Sequence, residues 1–341
     1  MPPIASEMLL VSAVLVLISA HTVFWGIPIH LLALLKLLEN DAGRKQSLTL
    51  LIMALVQRWI NGVLWILRRF YSIEWDIRGG TGLRPDDSCV LISNHQSWTD
   101  LPVLLHVFTG RIPFFRIFAK QEILWLPIIG TSLLSLDYPI MKRYPKRVLQ
   151  AQPDKRGRDL ETTRRMCRRY RTVPVAILIF SEGTRFRKKK QRQQRSPYRH
   201  LLKPKIGGMA FAVNAMEGRI RKLLDVTIVY TPSGGDFLTF LRGRLERVTV
   251  DVQERSIPEA LLTGDYLNDP IYRTAFTSWV EELWMEKDRR IQCISREADR
   301  GGSQRPIETA GQASTIAASI SVHEDPTAGQ RRAGQKPSDE T

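Results

Sequence analysis

The chain has 341 residues, 43% hydrophobic and 25% charged, with a formal net charge of +16. That size and balance exclude a collagen-like, low-complexity or disulfide-scaffold protein, and suit one large domain with appendages or two smaller ones. The last 45 residues hold seven acidic and five basic side chains, so the positive excess lies upstream and favours anionic partners: nucleic acid, anionic lipid, a phosphorylated substrate or an acidic carrier.

Met8 to Leu35 contains no Asp, Glu, Lys or Arg. About 20 such residues cross a bilayer as a helix, so the run predicts a membrane segment. Glu7 in place of a basic n-region, and no A-x-A site after the run, argue against a signal peptide. Lys36, Arg44 and Lys45 follow, which by the positive-inside tendency puts the bulk of the chain on the cytoplasmic side. The stretch Ser47 to Phe70 is apolar but interrupted by Gln57, Arg58 and Asn61. Its Trp59 and Trp65 and its basic end, Arg68 and Arg69, predict an interfacial helix, with a buried helix of the globular domain as the alternative. Residues 1–70 thus read as membrane-anchoring helices. Residues 71–298 read as the globular domain, and 299–341, polar and without aromatic residues, as a disordered tail.

Within the globular part, YSIEWDIRG alternates large and polar residues, and the turn GGTGLRPDD leads into the apolar CVLIS. PVAILIF (Pro174 to Phe180) and DVTIVYTP (Asp225 to Pro232) are runs of the kind found in strands covered on both faces. ETTRRMCRRY, IGGMAFAVNAM and a long segment from Ile271 to about Arg296 read as helices, the last opened by Asn268-Asp269-Pro270. The expected fold is α/β, a sheet covered by helices. Cys89, Cys167 and Cys293 are widely separated, which disfavours a disulfide framework or zinc site and suits a reducing compartment.

The chemistry centres on SNHQSWTDLP, Ser93 to Pro102. A strand ending at Ser93 brings His95 to the carboxyl edge of the sheet, where α/β proteins carry their sites. Asp100, on the first turn of a following helix, can fold back onto one imidazole nitrogen and leave the other as a base. No GxSxG elbow supplies a nucleophile, and Cys89 sits in an apolar strand, so the base is expected to activate a substrate hydroxyl. IFSEGTRF (Ile179 to Phe186) follows another apolar strand, and its turn at Gly183 and Thr184, with Arg185, suits an anion. LPIIG and SLDYPIMKR lead to Lys142 and Arg143. His106 and the tryptophans Trp98, Trp125, Trp279 and Trp284 are expected to be packing residues, with bordering a substrate's apolar chain as the alternative for Trp98 inside the motif.

These segments resemble the motifs of the glycerolipid acyltransferases, the 1-acylglycerol-3-phosphate acyltransferase family. Asn94, His95 and Asp100 match its NHxxxxD motif, while Phe180, Glu182, Gly183, Thr184 and Arg185 resemble FPEGTRS. Pro127, Gly130 and Arg143 resemble its intermediate block, and Lys205, Gly207 and Gly208 its Lys-x-Gly. Ser181 and Thr227 stand where the family usually has Pro. The longer run of the chain looks most like a bacterial inner-membrane branch. The resemblance implies a glycerolipid-acyltransferase-like mixed sheet and a membrane-bound enzyme of the bacterial inner membrane, its catalytic domain facing the cytoplasm. In that reading, His95 and Asp100 move an acyl group from an acyl-CoA or acyl carrier protein thioester to a lysophospholipid hydroxyl. Arg143, Gly183, Thr184 and Arg185 hold the acceptor phosphate, and Glu182 orients an arginine or the hydroxyl. No cofactor and no metal are implied, and membrane lipids are the expected surroundings.

Gly183 to Lys205 holds ten Lys or Arg and no acid. It reads as a solvated basic loop, or as a patch for anionic headgroups or an acidic acyl carrier. Two other functions stay open on the sequence: a lysophospholipid or thioester hydrolase on the same site, and a nonenzymatic, membrane-tethered nucleic-acid-binding protein. The second lacks any helix-turn-helix, zinc-finger or RNP-like signature, so nucleic acid is not the expected partner.

Overall fold

The computed structural model describes residues 4–117, 119–120, 124–125, 129–136, 138, 140–141, 174–231 and 236–301. The expected helix ETTRRMCRRY, the expected tail from residue 302 on, Cys167, Lys142 and Arg143 lie outside the described residues, while residues 299–301, expected in the tail, are helical. Residues Met1–Asp299 form one compact unit.

Two long helices come first, α1 (Ile4–Leu38) and α2 (Ala42–Phe70). Asp41 caps α2, its side chain accepting the Arg44 amide at 2.8 Å, which satisfies one of the orphan donors of the first turn. The helices pack on each other as an antiparallel pair. β1 (Glu74–Gly79), β2 (Cys89–Ser93), α3 (Asp100–Phe108) and β3 (Phe115–Ile117) follow, then the short β4 (Ala119–Lys120), α4 (Ile129–Ser135) and β5 (Ile140–Met141). After β6 (Ala176–Phe180) come α5 (Lys188–Gln193), α6 (Ile206–Ala215), β7 (Lys222–Thr231), α7 (Phe237–Leu241), β8 (Arg247–Ser256) and α8 (Pro270–Gly301).

Six strands form one mixed sheet in the order β1-β8-β7-β2-β6-β3. Only β7 and β8 run antiparallel to each other; the remaining pairs are parallel. The period of two along a strand sorts side chains to opposite faces. Val90, Ile92, Ile177 and Ile179 enter one core with α6 and α8, while Leu91, Ala176 and Leu178 enter the other with α3 and the ends of α1 and α2. β8 was not among the expected strands, although Val248, Val250 and Val252 alternate cleanly and are buried. β7 starts three residues earlier than expected, at Lys222.

α8 closes the sheet with Phe276, Val280, Leu283, Trp284, Ile291 and Ile294, a stripe at helical spacing. Asp269 starts it by accepting the Ile271 and Tyr272 amides at 2.9 and 3.0 Å. α2 buries Ile52, Val56, Ile60, Leu64 and Ile66, so one face packs on the protein and the other, with Trp65, stays exposed. Cys89 is buried, and burial pushes its thiol up to about 12, which removes it as a nucleophile.

Candidate active site

β2 ends at Ser93, and the chain turns over the carboxyl edge of the sheet before α3 begins at Asp100. Asn94 ties this turn to β7 with two bonds. Its Nδ2 donates to the Ile228 carbonyl at 2.9 Å, and its Oδ1 accepts the Ile228 amide at 2.8 Å. A buried amide side chain thus extends the ladder beyond the strand, and only Asn or Gln presents a donor and an acceptor in one plane.

His95 Nδ1 lies 2.7 Å from Asp100 Oδ2. Asp100 is completely buried, and all its other bonds point at it from donors. The Gln96 and Ser97 amides reach Oδ2 at 2.7 and 3.0 Å, and the Tyr230 hydroxyl reaches Oδ1 at 2.6 Å. An ionised carboxylate surrounded in this way can only accept, so Nδ1 carries the proton and Nε2 is left with its lone pair outward. The imidazole face stacks on Phe180, with ring centres 4.2 Å apart, which fixes its plane. The arrangement is a base held in one tautomer and one orientation.

Glu182 is fully buried, and among the described residues its hydrogen-bond partners are backbone amides. Its Oε1 accepts the His95 amide at 2.8 Å and its Oε2 the Leu202 amide at 3.0 Å. One carboxylate therefore holds the backbone of the histidine turn against the segment that leads into α6. Burial pushes the Glu182 carboxyl up to about 7, against the two amide bonds that pull it down. A carboxyl raised in the folded state stabilises the fold fully below its ordinary 4.5, and that contribution is lost as pH rises through about 7. The expected size is about 3 kcal/mol. Denaturant unfolding of wild type between pH 4.5 and 8 should show this loss, and Glu182→Gln should flatten it. The glutamine NH2 would also face one of the two amides, costing ~1–3 kcal/mol throughout.

The turn after β6 is closed by the Gly183 amide donating to Phe180 O at 2.8 Å, with Gly183 at φ +67°. That N–H closes the turn. The left-handed backbone is what favours glycine here; an added Cβ would meet the Lys205 side chain at 2.7 Å, which the flexible lysine can yield. Thr184 Oγ1 accepts from Lys190 Nζ. Arg185 lies 4.8 Å above the Trp98 ring, which brings a guanidinium beside the histidine turn. Trp98 and Trp125 are exposed rather than packed, and Trp284 is buried. His106 stacks on Trp75 at 3.8 Å and accepts from Arg68 Nε at 3.2 Å; burial pushes its imidazole down to about 4, which suits packing.

Sequence reasoning missed the groups that surround the motif. Tyr230 and Asp225 both lie on β7, five residues apart, and therefore face opposite ways. Tyr230 meets Asp100. Asp225 meets Lys287 and Arg290 of α8, and Lys287 also donates to Val226 O. Asp225 and Lys287 are both completely buried. The signal for Lys287 was its place within the apolar stripe of α8, between Trp284 and Ile291.

Residues 75–231 match the family described as Acyltransferase, and these residues include both motif turns and β7. The chain is also similar to proteins named 1-acyl-sn-glycerol-3-phosphate acyltransferase. The enzyme of that name from Pseudomonas aeruginosa is 29% identical over 160 residues, 47% of this chain and 52% of the relative. The mouse 1-acyl-sn-glycerol-3-phosphate acyltransferase gamma is 26% identical over 190 residues, 52% of this chain and 45% of the relative. An uncharacterised acyltransferase of Schizosaccharomyces pombe is 22% identical over 227 residues, 60% of this chain and 59% of the relative. The chain spans about half the length of the curated relatives it matches. The crystal structure of the 1-acyl-sn-glycerophosphate acyltransferase PlsC from Thermotoga maritima shares the fold. Its TM-score is 0.50 at 14% identity, covering 89% of this chain and 99% of that one.

Proposed function

We propose that the protein transfers a fatty acyl group from an acyl thioester to the free hydroxyl of 1-acylglycerol-3-phosphate, giving phosphatidate. The observation that carries this is the His95–Asp100 pair at 2.7 Å, a base with no partner nucleophile in its turn. His95 Nε2 takes the proton of the acceptor hydroxyl, the oxygen attacks the thioester carbonyl, and the departing thiolate receives that proton. Asp100 stabilises the imidazolium between the two transfers. Arg185, with Arg143, is the proposed holder of the acceptor phosphate. The test is turnover by the purified protein of lysophosphatidate with an acyl thioester. Phosphatidate as product supports the reading; free fatty acid without phosphatidate overturns it in favour of hydrolysis.

We further propose that α1 and α2 lie along one leaflet of the bacterial inner membrane, on its cytoplasmic face, instead of crossing it. Both are long and apolar enough to cross, by length and composition. Yet the globular domain contacts α1 at both ends. Glu7 is held by Arg244 at 2.9 Å, and Lys36 Nζ donates to Ser135 O at 2.6 Å. A helix of 35 residues is about 52 Å long, and a bilayer core of about 30 Å cannot separate two ends that one domain holds. Between them Phe24, Ile27 and Leu31 are 66%, 60% and 57% exposed. Replacing these three by Ser should leave the fold intact and lower vesicle partitioning roughly a hundredfold, at ~1 kcal/mol each. Unchanged flotation with vesicles would remove the helix pair from membrane binding. A cysteine reporter at Asn40 labelled only from the periplasmic side would restore a spanning hairpin.

A further inference from the structure

β7 outruns its neighbour at the site. β2 ends at Ser93, which pairs with Val226, while β7 continues to Thr231, so Thr227 to Thr231 extend past the end of β2. Along that overhang the period of two puts Ile228 and Tyr230 on the face that packs with α3. Ile228 holds the histidine turn by its backbone: its carbonyl accepts Asn94 Nδ2 at 2.9 Å and Gln96 Nε2 at 2.8 Å. Tyr230, two residues further out, holds it by its side chain. The ring is buried, and the hydroxyl donates to Asp100 Oδ1 at 2.6 Å. Packing alone would be met by phenylalanine, so the hydroxyl has a use beyond filling space.

The two oxygens of Asp100 are divided between two tasks. Oδ2 meets His95 Nδ1 and the Gln96 and Ser97 amides. Oδ1 has, among the described residues, the Tyr230 hydroxyl as its donor. Burial, and then the Asp100 charge, push the Tyr230 phenol well above its ordinary 10, so it stays protonated and donates. Asp100 is itself completely buried, where a donor acts on a carboxylate with little screening by water. A phenol bonded at this distance draws charge towards Oδ1 and away from Oδ2, the oxygen that faces the imidazole. The other charges around the pair, among the described residues, come from the turn after β6: Glu182, which accepts the His95 amide, and Arg185 over Trp98. Lys287 of α8 acts on Glu182 by charge, and on α3 His106 is taken up by Trp75 and Arg68.

We propose that Tyr230 is a positioning residue that acts on His95 through Asp100: its hydroxyl limits the charge Asp100 presents to the imidazole, so that the base returns a proton as readily as it takes one. This rests on the acyl-transfer reading, in which one proton leaves the acceptor hydroxyl and is handed to the departing thiolate. A carboxylate without that donor would hold the imidazolium too firmly for the second transfer. The experiment makes Tyr230→Phe, which deletes the hydroxyl and keeps the ring. A second protein carries 3-fluorotyrosine at position 230, a more acidic phenol of nearly the same size. Two pH profiles are recorded for each. The first is kcat/KM for acylation of lysophosphatidate by palmitoyl-CoA. The second needs no substrate: the rate at which diethyl pyrocarbonate, which attacks the unprotonated imidazole, labels His95, read by mass spectrometry of the His95 peptide. The side chain is about one-fifth exposed, which admits the reagent. Glu182, Arg185, Lys287 and His106 are unchanged in every protein, so they set where the pair titrates and not how far Tyr230 moves it.

In Tyr230→Phe both midpoints should move up by about one pH unit, a tenfold change in the protonation ratio. The deficit against wild type is then widest on the acid side and narrows as pH rises, with KM unchanged. The fluorinated phenol, a stronger donor, should move both midpoints down. Midpoints that stay put in both proteins would overturn the proposal, as would a loss of rate equal at every pH, which marks a packing role. If Tyr230→Phe melts below the assay temperature, the fluorotyrosine protein decides alone. Wild type that acylates nothing, while the His95 labelling midpoint shifts as expected, would overturn the acyl-transfer reading and leave the role of Tyr230 standing.

Discussion

On the proposed reaction, His95→Ala should remove acyl transfer to lysophosphatidate while leaving the fold in place. The imidazole is about one-fifth exposed and stacks only on Phe180, so its loss opens little buried space. General base catalysis supplies about 10² to 10⁴-fold in rate, and here no second base lies in the turn. Asp100→Asn should fall almost as far by another route. The buried amide would turn an NH2 towards donors that the carboxylate now satisfies: Gln96 N, Ser97 N, Tyr230 Oη or His95 Nδ1. That disturbs the tautomer and costs ~1–3 kcal/mol in unpaired groups. Single-turnover acylation, with circular dichroism melts on the same preparations, separates the two. A His95→Ala protein with wild-type melting and wild-type product formation would sink the assignment of the base.

Asp225→Ala should be the most destabilising single change in the described residues. The carboxylate answers Lys287 and Arg290 at once, and both it and Lys287 are shut off from water. Burial alone would push the Asp225 carboxyl up, and the two cations together hold it below its ordinary value. Removing it leaves an ammonium facing the interior with, among the described residues, Val226 O as its remaining acceptor. Breaking a buried pair from one side costs about 3–5 kcal/mol, or a melting temperature lower by roughly 6–20 °C for a domain of this size. The double variant Asp225→Ala, Lys287→Met should recover much of that, because it removes the unpaired charge and fills the same space. Equal melting of the single and double variants would show that the cluster is not a coupled unit.

The contrast between these two residues shows what was legible. His95 and Asp100 are five residues apart, and a strand end followed by a helix start is enough to bring them together, so local spacing carried the pair. CVLIS, AILIF and the long C-terminal helix were legible for the same reason, since burial on both faces or along one stripe leaves a period in the sequence. Tyr230 is 130 residues from Asp100, and Lys287 is 62 residues from Asp225. No local pattern links either pair. Glu182 was visible as a motif residue but not in its role, because a carboxylate that binds two backbone amides leaves no sign in neighbouring side chains. Gly183 was legible as a turn, while the partner of its amide was not.

By itself, then, the sequence determined the α/β class, the apolar N-terminal helices, the histidine–aspartate turn and the basic stretch after β6, since each depends on residues close in the chain. The tertiary structure decided which face of the sheet each charge occupies and what Glu182 and Asp225 hold. It also decided that both ends of α1 rest on the same domain. Those properties follow from sheet order and register, where β7 pairs with β2 across more than a hundred residues, and chain proximity says nothing about contacts made at that range.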